Sequence, residues 1–303
     1  MSRGPILVTG GSGQLAASLV AMAGALDVRR VGRPDFDFDA PETVAATLEA
    51  VRPRMILNAA AYTAVDRAES EPAAADRANH LGPKALAEYC AGAGIPLIHV
   101  STDYVFDGTK GAPYVESDPT CPTGVYGATK LAGENAALAA NPRTIVLRTA
   151  WVYAAHGRNF VLTMLAAGKR LPRLRVVADQ VGNPTNARDL AEAMLAIATR
   201  IDTNGWTDAY RGVFHASGSG ATSWHGLATA ALRLAAAHGS PMPEVEAIAT
   251  ADWPTPALRP ADSRLDCDAL GRVFGLRLPE WERSLSRMID CLPAESTDTL
   301  PPR

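Results

Sequence analysis

Two short segments carry the residue types that a carbonyl reduction requires. Thr102 lies in the run Ser101-Thr102-Asp103-Tyr104, and Tyr126 stands four residues before Lys130. On a helix, that spacing puts the phenol and the ammonium on one face. A free tyrosine has a pKa of roughly 10, and a neighbouring ammonium favours the phenolate, so Tyr126 can work as an acid nearer neutrality. We expect a hydroxyl at the preceding strand end to hold the carbonyl that Tyr126 protonates.

Hydride chemistry also needs a nicotinamide, because side chains do not supply hydride. The apolar run Ile6–Thr9 predicts a buried strand, and a glycine-rich turn follows it before an alanine-rich helical stretch. Glycines let the backbone approach a pyrophosphate, and the helix N-terminus offers free N–H groups to its charge. The residues predicted to contact the cofactor here are Gly10, Gly11, Ser12, Gly13, Gln14 and Leu15.

Strand-like and helical runs alternate through the first half of the chain, with strands predicted at 28–31, 55–58, 97–100 and 144–147. This alternation is typical of βαβ units and predicts an α/β fold, a Rossmann-like doubly wound parallel sheet. We assign residues 1–150 with 186–217 to the dinucleotide-binding domain. A smaller C-terminal lobe that binds the substrate takes 151–185 with 218–292, and 293–303 form a tail.

Composition favours a cytoplasmic enzyme. The chain has 303 residues and a net charge of −3, which excludes a basic nucleic-acid-binding or membrane-surface protein. No apolar run approaches the length of a membrane span, and the first strand begins too early for a signal peptide. The four cysteines form no C-x-x-C pair, so thiols in a reducing compartment are expected rather than disulfides or zinc.

The motifs together resemble the extended short-chain dehydrogenase/reductases and, within them, the dTDP-4-dehydrorhamnose reductase family. They follow the family order over most of the chain. The matching segments are Asn58–Glu69, Ser101–Asp107, Val125–Glu134, Arg148–Tyr153 and Asp179–Thr185.

This resemblance implies a role for each site residue. Tyr126 would protonate the C4 keto oxygen, Lys130 would bind the nicotinamide ribose, and Thr102 would hydrogen-bond the keto oxygen. Asp103 and Trp151 would line the sugar pocket, although a turn residue and a core residue are the respective alternatives. The residues implied along the rest of the cofactor groove are Asp37, Phe38, Ala60, Ala61 and Tyr62.

Two features bear on the ligands. Arg33 can pair with a 2′-phosphate, whereas Asp37 and its acidic neighbours suit a free ribose diol, so NADPH is expected with NADH tolerated. Some family members bind Mg²⁺ at a dimer interface through glutamates. Here Arg188 stands where one such acid is expected and Gln14 offers no carboxylate, so no metal residue is predicted, and a homodimer stays open.

The predicted reaction is reduction of dTDP-4-dehydro-β-L-rhamnose to dTDP-L-rhamnose, for cell-surface polysaccharide. One alternative is a 4-ketoreductase for another nucleotide sugar, as in antibiotic pathways. A second is a non-catalytic regulatory subunit on the same fold, which the intact Tyr126, Lys130 and Thr102 argue against.

Overall fold

The structure, a computed structural model, describes residues 4–292. Most of its strands are short and buried. The strands are β1 (Ile6–Thr9), β2 (Val28–Arg30), β3 (Met55–Asn58), β4 (Leu97–Thr102), β5 (Thr144–Thr149), β6 (Val152–Tyr153), β7 (Arg173–Val177), β8 (Val181–Gly182), β9 (Thr185–Asn186), β10 (Gly212–His215), β11 (Thr222–Ser223) and β12 (Glu244–Ile248).

The helices lie on both faces of the sheet and in the second lobe. They are α1 (Gln14–Ala21), α2 (Pro41–Val51), α3 (Val65–Ala68), α4 (Pro72–Asp76), α5 (Gly82–Ala93), α6 (Val125–Ala140), α7 (Phe160–Arg170), α8 (Ala187–Asn204), α9 (Trp224–Ala237), α10 (Asp268–Phe274) and α11 (Trp281–Asp290). A π-helical turn, Arg77–Leu81, joins α4 to α5.

The central sheet has six strands in the order β2-β1-β3-β4-β5-β10, and every neighbouring pair is parallel. The chain moves outward from β1 to β2 and then returns to β3 on the other side of β1. The gap between β1 and β3 is therefore the topological switch point, where ligands bind at the carboxyl ends of the strands. The predicted doubly wound parallel fold is confirmed.

Alternating side chains divide the sheet between two helical layers. Ile6 and Val8 of β1 pack in the core beneath α1 and α8, while Leu7 packs in the opposite core with Leu48 of α2 and Leu86 of α5. Both faces are apolar because helices cover both, as parallel sheets require. This burial holds the carboxyl ends of β1, β3 and β4 at one edge, where the polar residues collect.

A smaller lobe follows β5. Strands β7 and β12 form a parallel pair, and α7, α9 and α11 pack around them. Its core contains Leu165, Leu174, Leu232 and Leu285. Helix α10, which the sequence assigns to this lobe, packs instead on the main core: Phe274 meets Phe214 of β10 at a centroid distance of 5.1 Å.

The apolar face of α10 covers the β10 edge, and the division at 151–185 and 218–292 stays a prediction. The predicted tail, 293–303, lies outside the described residues. Within residues 4–292, no helix combines the length and the apolar character that a membrane span needs.

Candidate active site

Helix α6 carries Tyr126 in its first turn and Lys130 one turn later, as the spacing predicted. Its N-cap residue has no capping side chain. The carboxylate of Glu69 supplies the cap instead, because Oε1 accepts the Val125 N–H at 2.9 Å. A negative charge at a helix N-terminus is favourable. Glu69 therefore caps the helix that bears Tyr126, although 56 residues separate it from Val125.

Tyr126 and Thr102 meet at the end of β4. Thr102 is buried, and its hydroxyl adjoins the Tyr126 phenol. Burial raises the pKa of Tyr126 to about 12, and the Thr102 hydroxyl opposes that rise. Ser101 points the other way, because its hydroxyl donates to Glu134 at 2.5 Å. Strand alternation thus leaves Thr102 as the hydroxyl that faces the phenol, as expected.

Lys130 is buried beneath the same strand. Its ammonium donates to the Val100 carbonyl at 2.6 Å. Burial lowers the pKa of Lys130 to about 8, and the nearby Glu134 carboxylate opposes that shift. The sequence predicted that this ammonium would lower the pKa of Tyr126. The pKa is raised instead, because desolvation of the phenol dominates. A depressed lysine pKa in a cleft is a mark of functional sites.

Asp103 is 2% exposed and lies behind Thr102. Its Oδ1 accepts from the Thr102 hydroxyl at 3.1 Å and its Oδ2 from the Ser263 hydroxyl at 2.6 Å. Burial raises the pKa of Asp103 to about 6, although both hydroxyls lower it. Whether Asp103 touches a sugar stays a prediction. Sequence reasoning missed Ser263, because 160 residues separate it from Asp103.

Trp151 adopts a left-handed backbone, with φ 47°. Such a conformation is uncommon for a bulky residue and marks a position that its surroundings over-determine. Its ring stacks on Trp224 at a centroid distance of 3.6 Å and an interplanar angle of 7°. Trp224 in turn donates its indole N–H to Gln180 at 3.1 Å. The pair forms a flat aromatic platform in the second lobe, and Trp224 carried no local signal in the sequence.

The glycine-rich turn after β1 forms a cradle that only a residue without a side chain can build. Gly10 has φ 111°, and a Cβ atom there would lie 2.9 Å from the Ala59 carbonyl oxygen. Gly13 is the N-cap of α1. The turn thus brings bare backbone and a helix N-terminus to the switch point, and these features fit a dinucleotide pyrophosphate.

Two residues predicted for the cofactor have other contacts at the start of α1. Leu15 is buried in the sheet core, so only its backbone can serve a ligand. The Gln14 Oε1 accepts from Asn159 Nδ2 at 2.9 Å, which ties the cradle to the start of α7 in the second lobe. Ser12 is exposed at the turn.

The rest of the predicted groove follows β3. The Ala60 N–H donates to the Thr9 hydroxyl at 3.3 Å, and the Tyr62 N–H donates to Asn79 at 2.8 Å. Ala61, between them, is partly exposed. These bonds hold the segment against the end of β1, and its contact with the cofactor stays a prediction.

The end of β2 carries a cluster of opposite charges. The Arg33 guanidinium contacts Asp37 at 2.8 Å and Asp39 at 2.6 Å, and its side chain is 67% exposed. Arg77 contacts the other oxygen of Asp39 at 2.6 Å. Phe38 packs against Gly82. Arg33 is therefore shared between two carboxylates rather than free.

Arg188 stands where the family resemblance implies a metal-binding acid. It pairs with Glu192 at 3.0 Å along α8. Across residues 4–292, no group of three or more His, Cys, Asp or Glu side chains is arranged to hold a metal ion.

A Gly13→Val substitution is expected to weaken NADPH binding at least tenfold while the fold persists. A Cβ at Gly13 would lie 3.0 Å from the Gly10 carbonyl oxygen, and the branched side chain would occupy the path of the pyrophosphate. Fluorescence titration with NADPH measures the change. Gly92→Val on α5 is the control, because a Cβ there meets nothing within 4 Å. Equal affinity in a folded Gly13→Val variant would place the cofactor elsewhere.

Known proteins resemble this chain over nearly its whole length. The family model described as the RmlD substrate binding domain matches residues 4–293. A dTDP-4-dehydrorhamnose reductase of Sinorhizobium fredii is 47% identical over 294 residues, which are 97% of this chain and 99% of that protein. The Escherichia coli K12 protein of the same name is 41% identical over 292 residues, with 94% and 97% covered.

Solved structures show the same similarity. The dTDP-4-dehydrorhamnose reductase of Bacillus anthracis in complex with NADP has a TM-score of 0.86 and 31% identity, and the match covers 95% of this chain and 99% of that one. The Clostridium acetobutylicum orthologue has a TM-score of 0.86 and 36% identity, with 94% and 98% covered. The chain belongs to the dTDP-4-dehydrorhamnose reductase family of the extended short-chain dehydrogenase/reductases.

Proposed function

We propose that this protein reduces the 4-keto group of dTDP-4-dehydro-β-L-rhamnose to give dTDP-L-rhamnose. The observation that carries the proposal is that the Tyr126 phenol and the Thr102 hydroxyl adjoin at the carboxyl end of β4, with Lys130 buried nearby. Two adjoining hydroxyls can both reach a single carbonyl oxygen. The proposed cofactor cradle lies at the carboxyl end of β1, which only β3 separates from β4 in the sheet.

A nicotinamide cofactor, when bound, supplies hydride to the sugar carbonyl carbon. The protein's own part is to bind the keto oxygen and deliver a proton. Tyr126 gives its phenolic proton to that oxygen as negative charge develops, and Thr102 donates a second hydrogen bond. Because both groups are positioned before reaction, little reorganisation is needed. The Lys130 ammonium, held on Val100, favours the phenolate that remains.

The residues around the turn fit a dinucleotide by shape and by charge. Gly10 and Gly13 would face the pyrophosphate, and Lys130 would bind the ribose next to the nicotinamide. Asp37 and Phe38 would border the adenosine half. In the second lobe, the Trp151 platform offers an apolar face to the sugar of the substrate. Its partner Trp224 holds that face flat.

NADPH is proposed as the preferred cofactor, with NADH accepted. Arg33→Ala is therefore expected to weaken NADPH binding at least tenfold and to leave NADH binding almost unaltered. One charge-assisted contact is worth roughly 1.5–3 kcal/mol. The substitution also removes the Arg33 contacts to Asp37 at 2.8 Å and to Asp39 at 2.6 Å. Without those contacts, the two carboxylates would repel a 2′-phosphate. Dissociation constants for both cofactors measure the effect.

The matched control for that substitution is Arg173→Ala. Arg173 is also exposed and paired with a carboxylate, Glu244 at 3.0 Å, but it lies in the other lobe. Arg173→Ala should leave the dissociation constants for NADPH and NADH unchanged. Equal losses for NADPH and NADH in Arg33→Ala would show that Arg33 shapes the loop and does not select the cofactor.

The test of the function itself is product identity. Purified protein is incubated with dTDP-4-keto-6-deoxyglucose, NADPH and the preceding epimerase, and the nucleotide sugar formed is identified by mass spectrometry and NMR. Formation of dTDP-L-rhamnose supports the proposal. Turnover only with a different 4-keto nucleotide sugar would favour a sibling ketoreductase. No turnover of any such substrate would favour a non-catalytic role.

The proposal also covers the setting of the enzyme. The four cysteines, Cys90, Cys121, Cys267 and Cys291, are free thiols, as a reducing cytoplasm requires. The proposed partner is a dTDP-sugar, with no nucleic acid involved. The net charge of −3 offers no field that would attract a polyanion.

A further inference from the structure

Hydroxyl groups engage both carboxylate oxygens of Asp103. Oδ1 accepts from the Thr102 hydroxyl and Oδ2 accepts from the Ser263 hydroxyl. The side chain is 2% exposed. A buried carboxylate that is bonded to Thr102 in this way can act on the reaction through Thr102.

The two hydroxyl bonds differ in strength. The Ser263 hydroxyl lies 2.6 Å from Oδ2, which is the usual length of a hydrogen bond to a carboxylate. The Thr102 hydroxyl lies 3.1 Å from Oδ1, which is long for the same kind of bond. Ser263 is therefore the dominant side-chain donor, and the Thr102 proton is held only weakly by Asp103.

Ser263 is itself fixed by the chain around it. It is 1% exposed, and its N–H donates to the Val181 carbonyl at 2.9 Å. Two residues on, the Leu265 N–H donates to Asn183 Oδ1 at 2.8 Å. These bonds anchor the Ser263 segment to β8 and the turn after it, so its hydroxyl reaches Asp103 from the second lobe at a set position.

We propose that Ser263 is a positioning residue for the reduction: by satisfying the Asp103 carboxylate, it keeps the hydroxyl proton of Thr102 available to the substrate carbonyl. The inference rests on the proposed role of Thr102. Without Ser263, Thr102 becomes the only side-chain donor to Asp103 among residues 4–292. Its proton then stays on the carboxylate, and the developing charge on the substrate oxygen loses one of its two donors.

The effect of losing the Ser263 hydroxyl should be larger at high pH than at low pH. Only the ionised carboxylate competes for the Thr102 proton. Burial raises the pKa of Asp103 to about 6, and the Ser263 bond lowers it, so removing Ser263 moves that pKa above 6. The other titratable groups facing Asp103 are Tyr104 and Tyr126, both with raised pKa values because of burial; Arg259 lies beyond Tyr104. The loss of kcat caused by removing Ser263 must therefore grow as pH rises through the pKa of Asp103.

The experiment compares kcat and KM for Ser263→Ala and wild type from pH 5.5 to 8.5 (a range that brackets the raised pKa of Asp103). Loss of one donor to a developing oxyanion typically costs about 10²–10³-fold in kcat. Because Ser263 acts through Thr102, we expect about a tenfold loss at high pH and less at low pH, with NADPH affinity unchanged. Ser263→Thr, which keeps the hydroxyl, should restore the rate.

Ser284→Ala is the matched control. Ser284 is also buried and donates to a buried aspartate, Asp189, but that pair joins α11 to α8 away from Thr102. It should keep the wild-type kcat at every pH. Wild-type kcat in a folded Ser263→Ala variant, or a loss that does not change with pH, would overturn the inference. An inactive wild-type enzyme would instead overturn the proposed function.

Discussion

Replacing Tyr126 by phenylalanine is expected to remove most turnover while cofactor affinity stays nearly unchanged. We propose that the phenol acts in proton transfer, and a positioned acid typically contributes about 10²–10⁴-fold. The ring of phenylalanine keeps the edge-to-face contact with Tyr104, whose centroid lies 5.5 Å away. The fold should therefore persist. Steady-state kcat and an NADPH titration on the same preparation separate chemistry from binding.

A control for this substitution removes a tyrosine hydroxyl far from the site. The Tyr89 hydroxyl donates to the Leu48 carbonyl at 3.0 Å, between α5 and α2. Tyr89→Phe should cost some stability and leave kcat intact. If Tyr126→Phe retained the wild-type kcat, Tyr126 would not be the acid, and another group would have to protonate the keto oxygen.

Replacing Lys130 by methionine is expected to harm both cofactor binding and turnover, since the proposed role of its ammonium includes both the ribose and the phenol. We expect kcat to fall at least ~10²-fold, within the range for a lost acid–base group. The ammonium donates to Val100 at 2.6 Å, and methionine leaves that buried carbonyl without its partner. Stability should therefore be measured beside kinetics, by thermal unfolding with and without NADPH.

The pH profile separates a lost charge from a merely damaged fold. Burial lowers the pKa of Lys130 to about 8. The ammonium is present below that pH and is lost above it, so kcat/KM of the wild type should decline as pH rises through about 8. Lys130→Met should lack that decline. Lys84→Met, an exposed lysine of α5 that pairs with Glu88, should keep it. An identical alkaline limb in Lys130→Met would show that Lys130 does not control the reaction.

The local part of the site could be predicted from the sequence because backbone geometry sets it. Tyr126 and Lys130 share a face of α6 since residues four apart on any helix do. Gly10 lies at the β1–α1 turn because its φ of 111° suits no other residue well. Strand alternation similarly separates Thr102 from Ser101. These relations involve neighbours in the chain, so the order of residues is enough to infer them.

Contacts between distant segments could not be predicted in this way. Glu69 caps α6 because packing, and not proximity in the chain, brings its carboxylate to Val125. The same holds for the stack of Trp151 on Trp224. Arg33 is another example: the sequence shows acidic residues near it, but only the fold shows that it pairs with Asp37 and Asp39.

The sequence by itself determined the doubly wound sheet, the catalytic spacing and the family. Apolar periodicity, glycine placement and the order of motifs are each properties of the chain alone. Only the tertiary structure decided that Asp103 is buried between Thr102 and Ser263, and that burial would raise the pKa of Tyr126. Those outcomes depend on which surfaces lose water when the two lobes pack together, and desolvation is a property of the folded arrangement.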